Sequence, residues 1–224
     1  MSITNNLLNI KSQLPNHVTL VAVSKTKPVA DLMEAYHACQ RIFGENYVQE
    51  LVEKHEILPK DVQWHFIGHL QSRKVKLIAP FVNLIHGVDS LKLLQEKKKK
   101  EKKNNRVIDC LFQIFIAEEE TKFGLDENEL NEVLNSEEFK TLENIRIVGL
   151  MGMATFTNNQ NQIKKEFQNL KTIFDKVSQL KTENCQLKTI SMGMSGDYQL
   201  AIECGSTMIR IGSSIFGNRN YQSL

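Results

Sequence analysis

The chain has 224 residues, 41% of them hydrophobic, so it can bury a full hydrophobic core. Its 28 basic and 26 acidic side chains leave a formal charge of +2, which gives no electrostatic reason to expect binding to nucleic acid or a membrane. The N-terminus lacks the basic and apolar blocks of a signal peptide, and no apolar run approaches the roughly 20 residues that span a bilayer.

Short apolar runs alternate with helical patterns through the first half of the chain. An amphipathic helix is predicted over residues 3–13. The predicted strands then cover residues 18–24, 41–45, 63–68 and 81–88. Helices are predicted over 29–40, from Asn46 onwards and over 70–79, where Pro80 ends the pattern.

The same alternation continues in the second half. Strands are predicted over 107–117, 145–150, 187–192 and 208–211, and helices after Asp89, over 126–139, 161–181 and 198–204. Eight strand–helix units in about 220 residues predict a single (β/α)8 TIM barrel, one domain over residues 1–224 with a short N-terminal helix. An open doubly wound sheet would instead require a glycine-rich turn after the first strand, where the chain has Ser-Lys-Thr-Lys-Pro.

Two compositional features remain. The lysine-rich run at residues 96–103 lacks interleaved aromatic residues, so we interpret it as a solvated helix face, with a basic contact surface as the alternative. The four cysteines are far apart and form no C-x-x-C motif, which indicates small buried side chains in a reducing compartment. We therefore expect a cytoplasmic protein.

Lys25 follows the first predicted strand, whose residues are apolar on both faces. The carboxyl ends of barrel strands carry the functional groups of this fold class. An amine held against apolar neighbours has a lowered pKa and becomes a usable nucleophile. The alternative is a surface lysine beside a turn.

Two loops rich in glycine and serine follow the last two strands. Small residues let backbone N–H groups approach a phosphate, and hydroxyl groups donate to it. Because consecutive barrel strands are neighbours, both loops should lie at one mouth. Ser195, Gly212 and Ser213 are the predicted phosphate contacts.

Arg210 is a charged residue within the otherwise apolar eighth strand. A buried guanidinium needs acceptors, either in a structural salt bridge or on a bound aromatic ligand. A reactive lysine, a phosphate site and an arginine facing a ring nitrogen together describe a site for pyridoxal 5′-phosphate (PLP).

Six motifs then show a resemblance that spans essentially the whole chain. The sequence resembles the YggS/PROSC family of pyridoxal phosphate homeostasis proteins in VAVSKTKP at 21–28, FGENYVQE at 43–50, WHFIGHLQ at 64–71, GLM at 149–151, SMGMS at 191–195 and GSTMIRIG at 205–212. The resemblance implies a barrel like the N-terminal domain of alanine racemase. It also implies that Lys25 carries PLP as an internal aldimine.

By the same resemblance, Arg210 faces the pyridine nitrogen, and Asn46 and Met151 line the pocket beside the phosphate contacts. Two positions depart from the family pattern: Arg73, where asparagine is frequent, and Gly196, where the residue is commonly bulkier. Neither removes a predicted cofactor contact. His65 and His69 are interpreted as packing or rim histidines rather than proton shuttles, and Asp197 as the cap of the next helix.

Three functions are compatible with these residues. The favoured one is a carrier that buffers PLP, with PLP-dependent apoenzymes as candidate partners and the chain a monomer or weak dimer. An amino-acid racemase is the alternative, but the related racemases use a second base from an additional C-terminal domain, which we do not expect here. A Schiff-base aldolase without cofactor would have no use for Arg210.

Overall fold

Eight parallel strands close into a barrel in the computed structural model, which describes residues 2–91, 106–119, 123–179 and 184–218. The strands follow one another around the barrel in chain order, and β1 pairs with β8. Their bounds are β1 Thr19–Val23, β2 Ile42–Glu45, β3 Gln63–Phe66, β4 Leu84–Val88, β5 Ile108–Ile114, β6 Ile145–Gly152, β7 Cys185–Ser191 and β8 Met208–Ile211. The predicted (β/α)8 barrel is therefore confirmed.

Helices surround this barrel because every strand also has an apolar outer face that must be covered. The described helices are α1 Ile3–Ser12, α2 Val29–His37, α3 Val48–Ile57, α4 Val75–Ile78, α5 Glu127–Asn135, α6 Glu137–Lys140, α7 Gln160–Val177, α8 Tyr198–Glu203 and α9 Ser213–Phe216. None of the helices in the described ranges is long and apolar enough to cross a membrane.

The barrel interior has an apolar floor. Six apolar side chains pack together there, and they come from strands that are not all neighbours, as only the interior allows. They are Val21, Leu84, Leu111, Val148, Met151 and Met208. Above this floor, towards the carboxyl ends of the strands, lie the buried polar residues His65, His86, Ser191 and Arg210. The interior is therefore filled with side chains, and ligands must bind at its mouth.

Several predicted boundaries differ from the structure. The helix predicted over 70–79 is only a 3-10 turn at Ser72–Lys74 followed by α4, and the helix predicted over 126–139 divides into α5 and α6 at Ser136. Ser136 divides it because its hydroxyl accepts from the Phe139 N–H and starts a new helix. The lysine-rich run at 96–103 lies outside the described residues.

One cysteine was predicted wrongly. Cys110, Cys185 and Cys204 are buried as expected, but Cys39 is exposed. It lies just after α2 with φ of 62°, in the left-handed conformation that commonly ends a helix. This position turns the chain at the surface, so the thiol is not packed in the core.

Candidate functional site at the barrel mouth

The candidate residues come from the carboxyl ends of three consecutive strands, β7, β8 and β1. In the β1–β8 pair, Val21 lies opposite Arg210 and Ala22 opposite Ile211. Ser191, at the end of β7, lies opposite Met208 of β8. The loops after these strands therefore start next to one another, although they come from opposite ends of the sequence.

Lys25 lies two residues beyond β1. The Ser24 N–H donates to the Gly44 carbonyl at 3.0 Å, which continues the strand pairing up to the lysine. Val21 belongs to the barrel floor, and side chains of a strand alternate between its faces. Residue 25 is therefore in register with the inner face, and the residue is partly buried.

The chain turns sharply after Lys25. Thr26 has φ of 63°, a left-handed conformation that is a genuine outlier for a β-branched residue. Such a conformation is kept only where surrounding contacts impose it, and the Thr26 N–H donates to the Glu50 carboxylate at 2.6 Å. This turn fixes the direction in which the chain leaves the lysine.

The two predicted phosphate loops are in direct contact. The Gly212 N–H donates to the Ser195 hydroxyl at 3.3 Å, and Ser213 is the first residue of α9. A Cβ at Gly212 would lie 3.2 Å from the Val23 carbonyl oxygen, so this loop also approaches the strand that leads to Lys25. Gly193 has φ of 96°, which favours glycine where the chain leaves β7.

Arg210 is buried in the interior, with 5% of its surface exposed. Its Nη1 donates to the carbonyl and the hydroxyl of Ser191, both at 2.8 Å, and its Nη2 donates to the Gly152 carbonyl at 3.2 Å. In the described ranges, none of its hydrogen bonds is to a carboxylate. Burial lowers the pKa of Arg210 to about 10, while the Asp197 carboxylate opposes that shift.

The polar chain beneath the mouth was missed from the sequence. The Ser191 hydroxyl lies 3.2 Å from His86 Nδ1, and His86 Nε2 lies 3.1 Å from His65 Nδ1. Burial lowers the pKa of His65 to about 3 and that of His86 well below its ordinary value, with His65 and Arg210 adding to the shift of His86. Both imidazoles are therefore neutral, and the chain links Arg210 to the opposite wall of the barrel.

The other predicted residues occupy distinct positions. Met151 is buried in the barrel floor, one residue before the carbonyl that Arg210 contacts. Asn46 precedes α3, and its Oδ1 is buried without a hydrogen-bond partner among the described residues. An unpartnered buried acceptor is costly unless a ligand satisfies it. The donor set of this mouth therefore fits a polar, anionic ligand that also carries a donor.

Three further predictions concern the rim. His69 is exposed, 3.3 Å from Asp89, in agreement with a rim histidine, whereas His65 lies within β3 and is a packing histidine. Asp197 stands at the N-cap position of α8, but the prediction that it caps this helix is wrong. Its carboxylate accepts from the Met194 N–H instead and makes no cap hydrogen bond.

Of the two positions that depart from the family pattern, Arg73 lies on the surface and Gly196 directly follows Ser195 in the loop after β7. The Arg73 side chain donates to the Gln71 side chain at 3.1 Å on the surface. A Cβ at Gly196 would meet no atom within 4 Å. Neither position therefore disturbs the loops described above.

Comparison with known proteins identifies the family of this chain. The profile of the alanine racemase N-terminal domain family matches residues 1–220. A pyridoxal phosphate homeostasis protein of Haemophilus influenzae is 38% identical over 211 residues, which cover 93% of this chain and 88% of the relative.

Two solved structures have the same fold. PipY of Synechococcus elongatus, solved with PLP bound, is 34% identical with a TM-score of 0.87 and covers 96% of this chain and 100% of its own. An alanine racemase of Clostridium difficile has a TM-score of 0.78 at 16% identity, a likeness of fold alone, over 99% of this chain and 57% of the racemase. The chain therefore belongs to the family of pyridoxal phosphate homeostasis proteins, which is built on the alanine racemase N-terminal domain.

Proposed function

We propose that this protein binds PLP at the barrel mouth, holds it through a covalent imine to Lys25, and acts as a carrier in PLP homeostasis. The observation that carries the proposal is the convergence of the loops after β7, β8 and β1 at one point. A relative whose whole chain is covered by 96% of this one was solved with PLP bound, which supports the same ligand here.

The chemistry assigns a role to each residue. The Lys25 nitrogen adds to the aldehyde carbon, a C=N bond replaces the C=O bond, and the oxygen leaves as water with two protons of the amine. Ser195, Gly212 and Ser213 hold the phosphate, and Arg210 faces the ring nitrogen. Asn46 and Met151 line the pocket beside the ring.

Arg210 disfavours most of the reactions that PLP-dependent enzymes carry out. Even with its pKa lowered to about 10, the guanidinium is protonated at neutral pH. Since it keeps its proton, it does not supply one to the pyridine nitrogen, and the ring is a weaker electron sink. A weak electron sink disfavours decarboxylation and transamination and leaves racemisation as the enzymatic alternative, which requires an acid/base group on each face of the substrate.

The carrier role also concerns partners. A reversible imine releases PLP to any acceptor that binds it more tightly, and we propose PLP-dependent apoenzymes as these acceptors. We place this exchange in the cytoplasm, with the protein as a monomer or weak dimer. The thiols of Cys185 and Cys204 are free and buried, which is consistent with a reducing compartment.

The test is borohydride reduction of the PLP-loaded protein, followed by mass spectrometry. We expect a visible absorption band that disappears on reduction and a pyridoxyl group on Lys25. Lys27 serves as an internal control, because its Nζ donates to the carbonyls of Phe216 and Asn218 at 2.8 and 3.0 Å. A pyridoxyl group on Lys27, or a protein that takes up no PLP, would contradict the proposal.

A second experiment separates carrier from enzyme. The loaded protein is incubated with a panel of L-amino acids, and racemised, decarboxylated and transaminated products are measured. We expect no turnover beyond slow exchange. Turnover of any amino acid at roughly one per second, an ordinary enzymatic rate, would instead identify an enzyme.

A further inference from the structure

A buried ion cluster lies behind Lys25, on the outer side of the barrel wall between β2 and α3. It consists of Glu45, Glu50 and Lys54, and the Lys54 ammonium lies 2.7 Å from both carboxylates. The side chain of Glu45 is fully buried and that of Lys54 is 5% exposed. Burying these charges costs free energy that an apolar pair would not, so the cluster calls for an explanation beyond packing.

The cluster bonds to both residues that flank Lys25. Lys54 Nζ donates to the Ser24 carbonyl oxygen at 2.7 Å, and the Ser24 hydroxyl donates to Glu45 at 2.6 Å. On the other side, Glu50 accepts from the Thr26 N–H. Since Glu50 and Lys54 are also paired with each other, one unit holds the backbone before and after the lysine.

This arrangement determines the direction of residue 25. Ser24 is in contact with the outer cluster, and neighbouring side chains of a strand point to opposite faces. Holding Ser24 outward therefore holds Lys25 inward. The Glu50 contact also maintains the left-handed conformation of Thr26, which would relax without it.

We propose that Glu45, Glu50 and Lys54 are positioning residues that orient Lys25 for imine formation with PLP. The inference rests on the proposed function and goes beyond it, since none of the three side chains is assigned a contact with the ligand. A small error in the placement of a reacting group costs rate even when binding is preserved. The cluster should therefore control the covalent step rather than the affinity for the phosphate.

The experiment compares Lys54→Met with Lys171→Met as a matched control. Lys171 is also paired with a carboxylate four residues away, Asp175, but on the surface of α7. Imine formation is followed by the visible band after PLP is added. Binding without the covalent step is measured with pyridoxine 5′-phosphate, which has no aldehyde.

We expect Lys54→Met to slow imine formation roughly ten- to hundredfold. Its affinity for pyridoxine 5′-phosphate should stay within about threefold of the parent protein, since the phosphate loops are intact. Lys171→Met should change neither quantity. Equal imine rates in the parent protein and Lys54→Met would overturn the positioning role. An equal loss of imine rate and of affinity for pyridoxine 5′-phosphate in Lys54→Met would overturn it as well.

A second pair of variants keeps the inference testable if Lys54→Met fails to fold. Glu50→Gln retains an acceptor for the Thr26 N–H, whereas Glu50→Leu removes it. We expect slow imine formation in Glu50→Leu and a rate much closer to the parent in Glu50→Gln. Equal rates in both variants would contradict the inference. A parent protein that forms no imine on Lys25 would instead contradict the proposed function.

Discussion

Replacing Gly149 by alanine tests the geometry of the barrel wall next to the site. Gly149 lies in β6 opposite Thr189 of β7, at a shift in the strand register. A Cβ at this position would overlap the Thr189 carbonyl oxygen and lie 2.7 Å from its carbonyl carbon. Because the obstacle is backbone, no side-chain rotation relieves it, and β6 and β7 must move apart.

The expected cost follows from that overlap. Overpacking a core costs about 1–3 kcal/mol, and a backbone obstacle places this variant near the upper value, about 3 kcal/mol. For a chain of this size, the loss corresponds to a melting temperature lower by about 6–12 °C. The affinity for PLP should also fall, because β6 carries the Gly152 carbonyl that accepts from Arg210.

Gly196→Ala is the matched control. Its Cβ would meet no atom within 4 Å, and its φ lies outside the left-handed region. Losing a glycine from the unfolded chain should leave this variant unchanged or more stable by up to about 1 kcal/mol. Melting curves from calorimetry or circular dichroism measure both variants. If Gly149→Ala melts within about 2 °C of Gly196→Ala, the reasoning from strand contact is wrong.

Three other predictions concern the ligand, pH and a helix cap. The parent protein should bind PLP more tightly than pyridoxal by a few kcal/mol in titrations, and the double variant Ser195→Ala, Ser213→Ala should reduce that preference about tenfold or more. Since the pKa of His65 is lowered to about 3, only the unfolded chain takes up its proton as the pH falls below 6.5. Between pH 7 and pH 4, the unfolding free energy of the parent should therefore fall by about 3 kcal/mol more than that of His65→Asn, as measured by urea unfolding. Parallel pH profiles of the two proteins would refute this. Asp126→Ala removes a capping box with Glu129 and should lower the unfolding free energy by about 1 kcal/mol in the same assay, whereas no loss would contradict the cap.

The fold was predictable because its main signal is local. Runs such as 18–24 and 107–117 are apolar on both faces, which is typical of strands covered by helices outside and by side chains inside. The limits of short elements were less predictable. The 70–79 segment has helical spacing, yet only Ser72–Lys74 and Val75–Ile78 are helical, since Pro80 and the turn at Phe81 leave room for little more than one regular turn.

Buried polar residues show why the site was predictable only in part. Lys25 and the two predicted phosphate loops follow strands, so sequence order alone predicts that they lie at the same end of the barrel. Lys54 gave a weaker signal: it continues the buried spacing of Val48 and Leu51 on α3, so it lies on the apolar face of that helix. Its partner Glu45 comes from another strand, and such a pairing depends on tertiary register.

His86 and Ser191 were missed for the same physical reason. Each looks like an isolated polar residue in an apolar strand. Their contact spans the interior between β4 and β7, which are not neighbours in the barrel. A strand pattern specifies which face a residue occupies but not which residue it meets across the barrel.

The pairing of β1 with β8 has a consequence for synthesis of the protein. Lys25 is made among the first residues, whereas Arg210, Gly212 and Ser213 are made about 185 residues later. During synthesis, the predicted site is incomplete until β8 has been made and has paired with β1. We therefore expect PLP to bind only after the barrel has closed, and a partly synthesised chain should not bind it.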